Sequence, residues 1–325
     1  MTPANSHYFH AQAHALKGRL FLPFDQEIKQ QAFVKLEGYL ADLTDEERAQ
    51  RNYFSQHAKN FRLEGIISYA AAHTQVAGHR SKKHEGASVT LATSVVEDLN
   101  VLNVVTADRV VAQVSTTHFP GVATPSVTFL GTHFENLRIA RHRAEPYLKL
   151  DLVGDQPAGK DALHVAQGSG FMKAVEAQYK NLKDRLQGLA GDDRKKMRLT
   201  DADGSLPEKY HGFNLNYGDI QSQAAAARET GNKWDGITCS LVENVEIKDI
   251  SVKAADGKSV QIPPPGKSFG HVIHIPDFGN IFLAELTVNH NSFNLTMIRL
   301  ELGCLADGAV SIVTCNVNGG GSGGH

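Results

Sequence analysis

Histidine is the residue with most chemistry to offer in this sequence, which holds sixteen of them. His7, His10 and His14 lie in one short stretch, His271 and His274 form a His-x-x-His pair, and His79 and His84 flank a Lys-rich turn. Imidazoles ligate zinc and other transition metals, so a metal ion is the first cofactor these groups imply. A site needs its ligands to converge on one point, and the catalytic His-Glu-x-x-His pattern is absent. Residues three apart on a strand face opposite ways, so His271 and His274 act together only from a loop, which Pro276 close behind allows. Surface or hydrogen-bonded structural histidines are the favoured reading, and a metal-dependent enzyme built on these clusters is the third-ranked one.

Other motifs fall short of a mechanism. Pro265-Gly266-Lys267-Ser268 has the ending of a phosphate loop, but Gln261 stands where its first glycine belongs, so a rigid turn is expected. Asp201-Ala202-Asp203-Gly204 lacks the third acid and the distal Glu of a calcium loop. Glu97 and Glu243 sit at matching places in an internal echo and offer a carboxylate pair for acid/base work. Repeated surface charge is the plainer account of them. Tyr210, Tyr217 and Trp234 are the candidate ligand-binding residues, as an aromatic platform for a sugar, with core or hinge packing as the alternative. No residue is assigned a catalytic role.

The elements that would position such groups are mostly strands. Ser94–Val104 reads again without a gap as Ser240–Ile250, and Leu148–Leu152 returns as Ile298–Leu302. This echo predicts a duplicated antiparallel β unit, one copy at 88–153 and the other at 237–317, in one sandwich-like or barrel-like body. Within each echo the apolar positions change parity, which predicts a bulge or sharp bend near Asn103 and again near Asp249. Leu148, Leu150 and Leu152 alternate with Lys149 and Asp151, as do Ile298, Leu300 and Leu302 with Arg299 and Glu301, so both stretches are expected as half-buried strands. Residues 1–87 read as β strands with a short helix opened by the capping box Thr44-Asp45-Glu46-Glu47. The insertion at 154–236 holds the one strong helix, about 169–190, whose apolar residues Phe171, Val175, Tyr179, Leu182, Leu186 and Leu189 recur at helical spacing.

Composition limits the partners. The net charge is −2 over 325 residues with 41% hydrophobic content, which indicates a globular chain and gives no electrostatic reason to expect nucleic acid. No apolar run is long enough to predict a transmembrane segment. The N-terminus as written has no signal-peptide pattern, so the cytoplasm is the default location and the cell surface the alternative. Cys239, Cys304 and Cys315 are expected to be free and buried. A hairpin turn at Asp307-Gly308 would set Cys315 opposite Leu300, out of reach of Cys304. The tail at 318–325 is Gly-rich and is expected to be flexible, either as a native segment held by a neighbouring subunit or as an expression linker.

Val104-Val-Thr-Ala-Asp-Arg-Val-Val-Ala112 and Gly131-Thr-His-Phe-Glu-Asn-Leu-Arg-Ile139 resemble segments of uncharacterised bacterial β-rich proteins. The resemblance covers about half of the chain and brings no activity with it. Together these observations favour a non-enzymatic structural subunit that self-associates into a filament, shell or surface layer. A carbohydrate or small-molecule binding module using the insertion is second.

Overall fold

A computed structural model describes residues 7–39, 52–120, 125–153, 169–189, 237–288, 292–303 and 307–318. The first run of strands is β1 (Tyr8–Leu22), β2 (Gln26–Gln31), β3 (Val34–Tyr39), β4 (Tyr53–Leu63), β5 (Ile67–Arg80), β6 (Ser88–Val101) and β7 (Val105–His118). Short strands β8 (Ser126–Thr128), β9 (His133–Glu135) and β10 (Arg138–Ile139) precede β11 (His142–Leu148). Helix α1 (Ser169–Gln187) follows. The chain then forms β12 (Ile237–Ser240), β13 (Val242–Ile247), β14 (Ile250–Lys253), β15 (Ser259–Ile262), β16 (Lys267–Phe269) and β17 (Val272–Ile275). It closes with β18 (Gly279–Val288), β19 (Ser292–Leu302) and β20 (Asp307–Asn318).

The strands make two nine-stranded antiparallel sheets and a separate two-stranded ribbon, β14–β15. The first sheet runs β16-β17-β18-β19-β20-β1-β2, with β12 beside β18 and β3 beside β1. The second runs β13-β11-β10-β7-β6-β5-β4, with β8 and β9 on β7. The protein is therefore mainly β, with its helix between the two halves of the chain.

Small residues line the buried sides of both sheets where they meet: Ala11, Ala13 and Ala15 in β1, and Ala72, Ala92 and Ala112 in the second sheet. Such side chains let the backbones approach closely enough for side chains of one sheet to reach carbonyls of the other. Ser94 Oγ donates to the His14 carbonyl at 3.0 Å, Thr74 Oγ1 donates to that of Ala32, and Cys315 Sγ lies 3.4 Å from that of Ala112.

Each sheet is crossed by one line where the inside and outside of its long strands exchange. In β6 the buried positions are even-numbered through Val96 and odd-numbered from Leu99; in β7 they are odd through Ala107 and even from Val110. Pairing on either side keeps the same register, from Glu97 with Arg109 to Leu99 with Ala107. The line in the second sheet passes through Asn60, Ala70, Asp98, Asp108 and Asn136, and Asn60, Asp98 and Asn136 have φ of 55°, 54° and 50°. In the first sheet it passes through Ala284, Met297, Val313 and Ala15, with φ of 47° at Ala284 and 58° at Val313. A left-handed residue turns the following peptide over, which exchanges the two faces of its own strand, and the strands paired with it change phase at the same level.

Several expectations need correction. The reversal of phase near Asn103 is a tight hairpin turn: Leu102 and Asn103 have φ of 50° and 56°, and Val104 N donates to the Val101 carbonyl at 2.9 Å. The phase change itself comes earlier, at Asp98. Near Asp249 the chain leaves the second sheet for the ribbon. The echoed stretches do not hold equivalent places. Ser94–Val101 lies within β6, whereas Ser240–Ile250 passes from β12 on the first sheet through β13 on the second. Leu150 and Leu152 follow the end of β11 in a turn, while Ile298–Leu302 runs inside β19. Binary alternation recurs wherever a strand has one buried face, so similar strings arise at unrelated positions. The closing hairpin pairs Leu300 with Val310 and Leu295 with Cys315, so it reverses before Asp307 rather than at Asp307-Gly308. Cys239 and Cys315 are free and buried; Cys304, the short helix expected after Thr44 and the Gly-rich tail lie outside the described residues, apart from Asn318.

A β-branched residue at the exposed, left-handed Asp98 is strained, whereas glycine adopts that backbone freely. Asp98→Val is expected to lower unfolding free energy by about 1–2 kcal/mol and Asp98→Gly to change it by less than ~0.5 kcal/mol, read by urea denaturation.

Candidate functional site

The phase change gathers polar side chains on the outer face of the second sheet. Just beside the line, Lys59, Ala71, Glu97, Arg109 and Glu135 pair across β4, β5, β6, β7 and β9 in one row. The next row is His57, His73, Val95, Val111 and His133. The His57 and His73 rings stack with centroids 4.4 Å apart and planes 20° from parallel. Arg109 Nη2 lies 3.5 Å from Glu97 Oε1, a half-exposed ion pair worth about 0–1 kcal/mol. A cavity of about 220 Å³ opens over His57, His73, Glu97 and Arg109. Desolvation, and secondarily the neighbouring His57, push the His73 pKa down, while Glu97 pulls the other way. His73 is therefore a neutral imidazole beside a carboxylate, a group that can accept or donate a hydrogen bond at neutral pH.

A second concavity lies beneath the helix. Phe171, Val175, Leu182 and Leu186 are the buried face of α1, as its spacing predicts. Its C-terminal half packs Leu182 and Leu186 on Phe269, Val272 and Phe282, on the outside of the first sheet. Gln178 ties the helix to the point where the chain passes between sheets: its side-chain Nε2 donates to the Ser240 carbonyl at 2.7 Å and its Oε1 accepts from Ser240 N at 3.0 Å. Ser240 Oγ in turn donates to the Leu283 carbonyl at 2.7 Å and accepts from Val242 N at 2.8 Å. A cavity of about 190 Å³ beside this junction is lined by Lys149, Gln178, Asn181, Glu243 and His271. Behind it Arg299 binds Glu285 through two nitrogens and Glu301 through a third, with its guanidinium 3.7 Å from the Phe282 ring centre. Glu285 is buried, and this charge-assisted pairing compensates for its lost hydration.

The histidines singled out by spacing are not brought together. His7 turns inward, its ring 4.6 Å from Phe9 and 4.3 Å from His118. His10 and His14 lie on the opposite face of β1, four residues apart and so roughly 13 Å from one another. His271 is buried in the turn between β16 and β17, while His274 Nδ1 on β17 is 2.9 Å from Asn280 Oδ1. Among the described residues no group of three His, Cys, Asp or Glu is placed to hold a metal ion. Glu97 and Glu243 line different cavities and do not form a pair. Tyr210, Tyr217 and Trp234 lie outside the described residues. Gly266 has φ of 100° in the turn into β16, so Pro265–Ser268 is a turn followed by strand. The stacked His57 and His73 had no signal in sequence, because their meeting depends on the register of β4 with β5.

Comparison with known proteins identifies the family alone. The family described as Domain of unknown function (DUF8256) matches residues 7–289, and the chain belongs to it. No curated protein and no solved structure matches.

Burial sets a pH dependence. Desolvation lowers the pKa of His7, His14 and His271 from 6.5 to about 4, opposed at His271 by Glu285 and reinforced there by Arg299. The unfolded chain takes up protons at these positions from about pH 6.5 downward, before the folded chain does. Stability is thus retained above pH 6.5 and lost as the pH falls towards 4, with each histidine contributing up to ~1.4 kcal/mol per pH unit in that window. Urea midpoints measured from pH 7.5 to 4 are expected to show this fall, and His271→Gln to make it shallower.

Proposed function

We propose that this DUF8256 member is a non-enzymatic structural subunit that self-associates into a filament, shell or surface layer. The observation that carries this reading is where most of the exposed large apolar side chains among the described residues lie, Leu130 and Tyr147 apart. Phe21, Leu22, Phe24 and Phe33 stand open around the β2 edge of the first sheet. Val252, Val260 and Ile262 stand open on the ribbon that leads into β16, at the other edge. Tyr53 and Phe54 open the edge strand β4 of the second sheet. Apolar residues gathered at sheet margins mark sites that another polypeptide covers, where singly scattered ones need no explanation.

Two further observations support the reading. Of the cavities formed by described residues, those of about 190 and 220 Å³ are smaller than the ~300–1,000 Å³ common for small-molecule sites. The −2 net charge leaves little repulsion between copies. The expected result in size-exclusion chromatography with light scattering is a mass above the 35.3 kDa monomer that grows with concentration, with ordered assemblies in negative stain. A strict monomer at high concentration would falsify the proposal.

A further inference from the structure

We propose that the β14–β15 ribbon is a docking arm whose apolar face seats on the β2 edge of a second copy of this chain, in head-to-tail order. The inference rests on the self-association reading and specifies its contact. The ribbon pairs Ile250 with Ile262 and Val252 with Val260, so these four β-branched side chains share one face. Ser251, Lys253, Ser259 and Gln261 occupy the other. Val252, Val260 and Ile262 are 43%, 50% and 45% exposed, although the pairing that aligns them is fully formed. Neither strand joins a large sheet. A lone two-stranded ribbon is marginal in water, and one with an open apolar face gains most by being covered.

The arm is mounted rigidly. At its base Lys248 N donates to the Arg143 carbonyl at 2.9 Å, holding the chain to β11. On the exit side Pro263, Pro264 and Pro265 restrict the backbone, and Gly266 packs so tightly that an added Cβ would lie 2.1 Å from the His274 carbonyl oxygen. An arm held in this way loses little conformational freedom on docking.

The seat is on the same molecule but at the far edge of the same sheet. The arm feeds β16, at one end of the strand order, and Phe21, Leu22, Phe24 and Phe33 surround β2 at the other. Six inter-strand steps separate β16 from β2, a span of roughly 29 Å at ~4.8 Å per step, so the short arm cannot fold onto its own seat. The seat carries a surface ion pair: Arg19 Nε and Nη2 donate to the two Asp25 oxygens at 2.8 and 2.7 Å, with the guanidinium 5.4 Å from the Phe21 ring centre. Among the described strands β2 pairs only with β1, which leaves its outer edge to accept a strand from the arm. Two different patches at opposite ends of one subunit make a heterologous contact, which propagates as a row or closes as a ring.

The test uses full-length variants in sedimentation equilibrium and light scattering. An arm variant, Val252→Lys with Ile262→Lys, and a seat variant, Phe21→Ser with Phe24→Ser, should each be monomeric where wild type assembles, with association weakened at least tenfold. Mixed in equal amounts, they should form one-to-one dimers and nothing larger, because each supplies only the half the other lacks. Circular dichroism checks folding, and Val260→Thr with Ile262→Thr replaces any arm variant that fails it. An arm variant that assembles like wild type overturns the docking arm while self-association stands. Variants that each abolish assembly but form no mixed dimer overturn the head-to-tail seat. A wild type that stays monomeric overturns both.

Discussion

The fold depends on keeping backbone groups satisfied along the two lines where the long strands exchange their faces. A strand that changes phase alone would send half of its apolar side chains into water. Here the change occurs at the same level in neighbouring strands, so pairing resumes in unchanged register and the whole sheet turns together. Left-handed residues on alternate strands make this geometry, and carbonyls next to the line gain partners from outside their own ladder. In the first sheet the Ala284 carbonyl accepts from Leu241 N at 2.9 Å and the Leu283 carbonyl accepts from Ser240 Oγ. The His14 and Ala32 carbonyls accept from Ser94 and Thr74 of the opposite sheet. Buried polar backbone is thereby satisfied without water, and the small-residue seam is what brings those hydroxyls within reach.

The same constraint explains what could be read from the sequence. Helix α1 was legible because its signal is local: residues three and four apart decide which face is buried. The predominance of strands was legible from Val, Thr and Ile density. Parity within β6 is also visible, but its change reads as lying at Asn103, since the run from Leu99 to Val104 looks continuous. Only pairing with β7 reveals that Leu102 and Asn103 form a turn and that Asp98 carries the phase change. Leu148–Leu152 shows the converse error. Its alternation is as clean as that of Ile298–Leu302, yet Lys149 N bonds to the Leu241 carbonyl and the chain turns away. Alternation states that a strand is permitted; a neighbouring strand has to accept it.

The polar groups were less legible for the same reason. His7, His10 and His14 are close in sequence but divided between the two faces of β1. His57 and His73 are sixteen positions apart in numbering and stack because their strands align. Ser94, part of the repeated string, bonds across the seam, whereas Ser240, its counterpart in the echo, organises the passage from one sheet to the other. Residues of one type in matching strings thus serve different parts of the molecule.

The corner at Ser240 also bears on the proposed self-association. Gln178 joins the helix to that corner, Leu241 joins the corner to β18, and Lys149 joins it to the end of β11. The helix, the two sheets and the base of the β14–β15 ribbon are therefore linked through a few hydrogen bonds. At the opposite edge the Arg19–Asp25 pair lies beside the apolar tip, with Arg19 over the Phe21 ring. Rigid patches lose little entropy on association, and a net charge of −2 opposes association only weakly. An isolated globular chain would gain solubility from charge at those margins. Aromatic and β-branched residues stand there beside the charged ones, exposed at the positions that the proposed contact would cover.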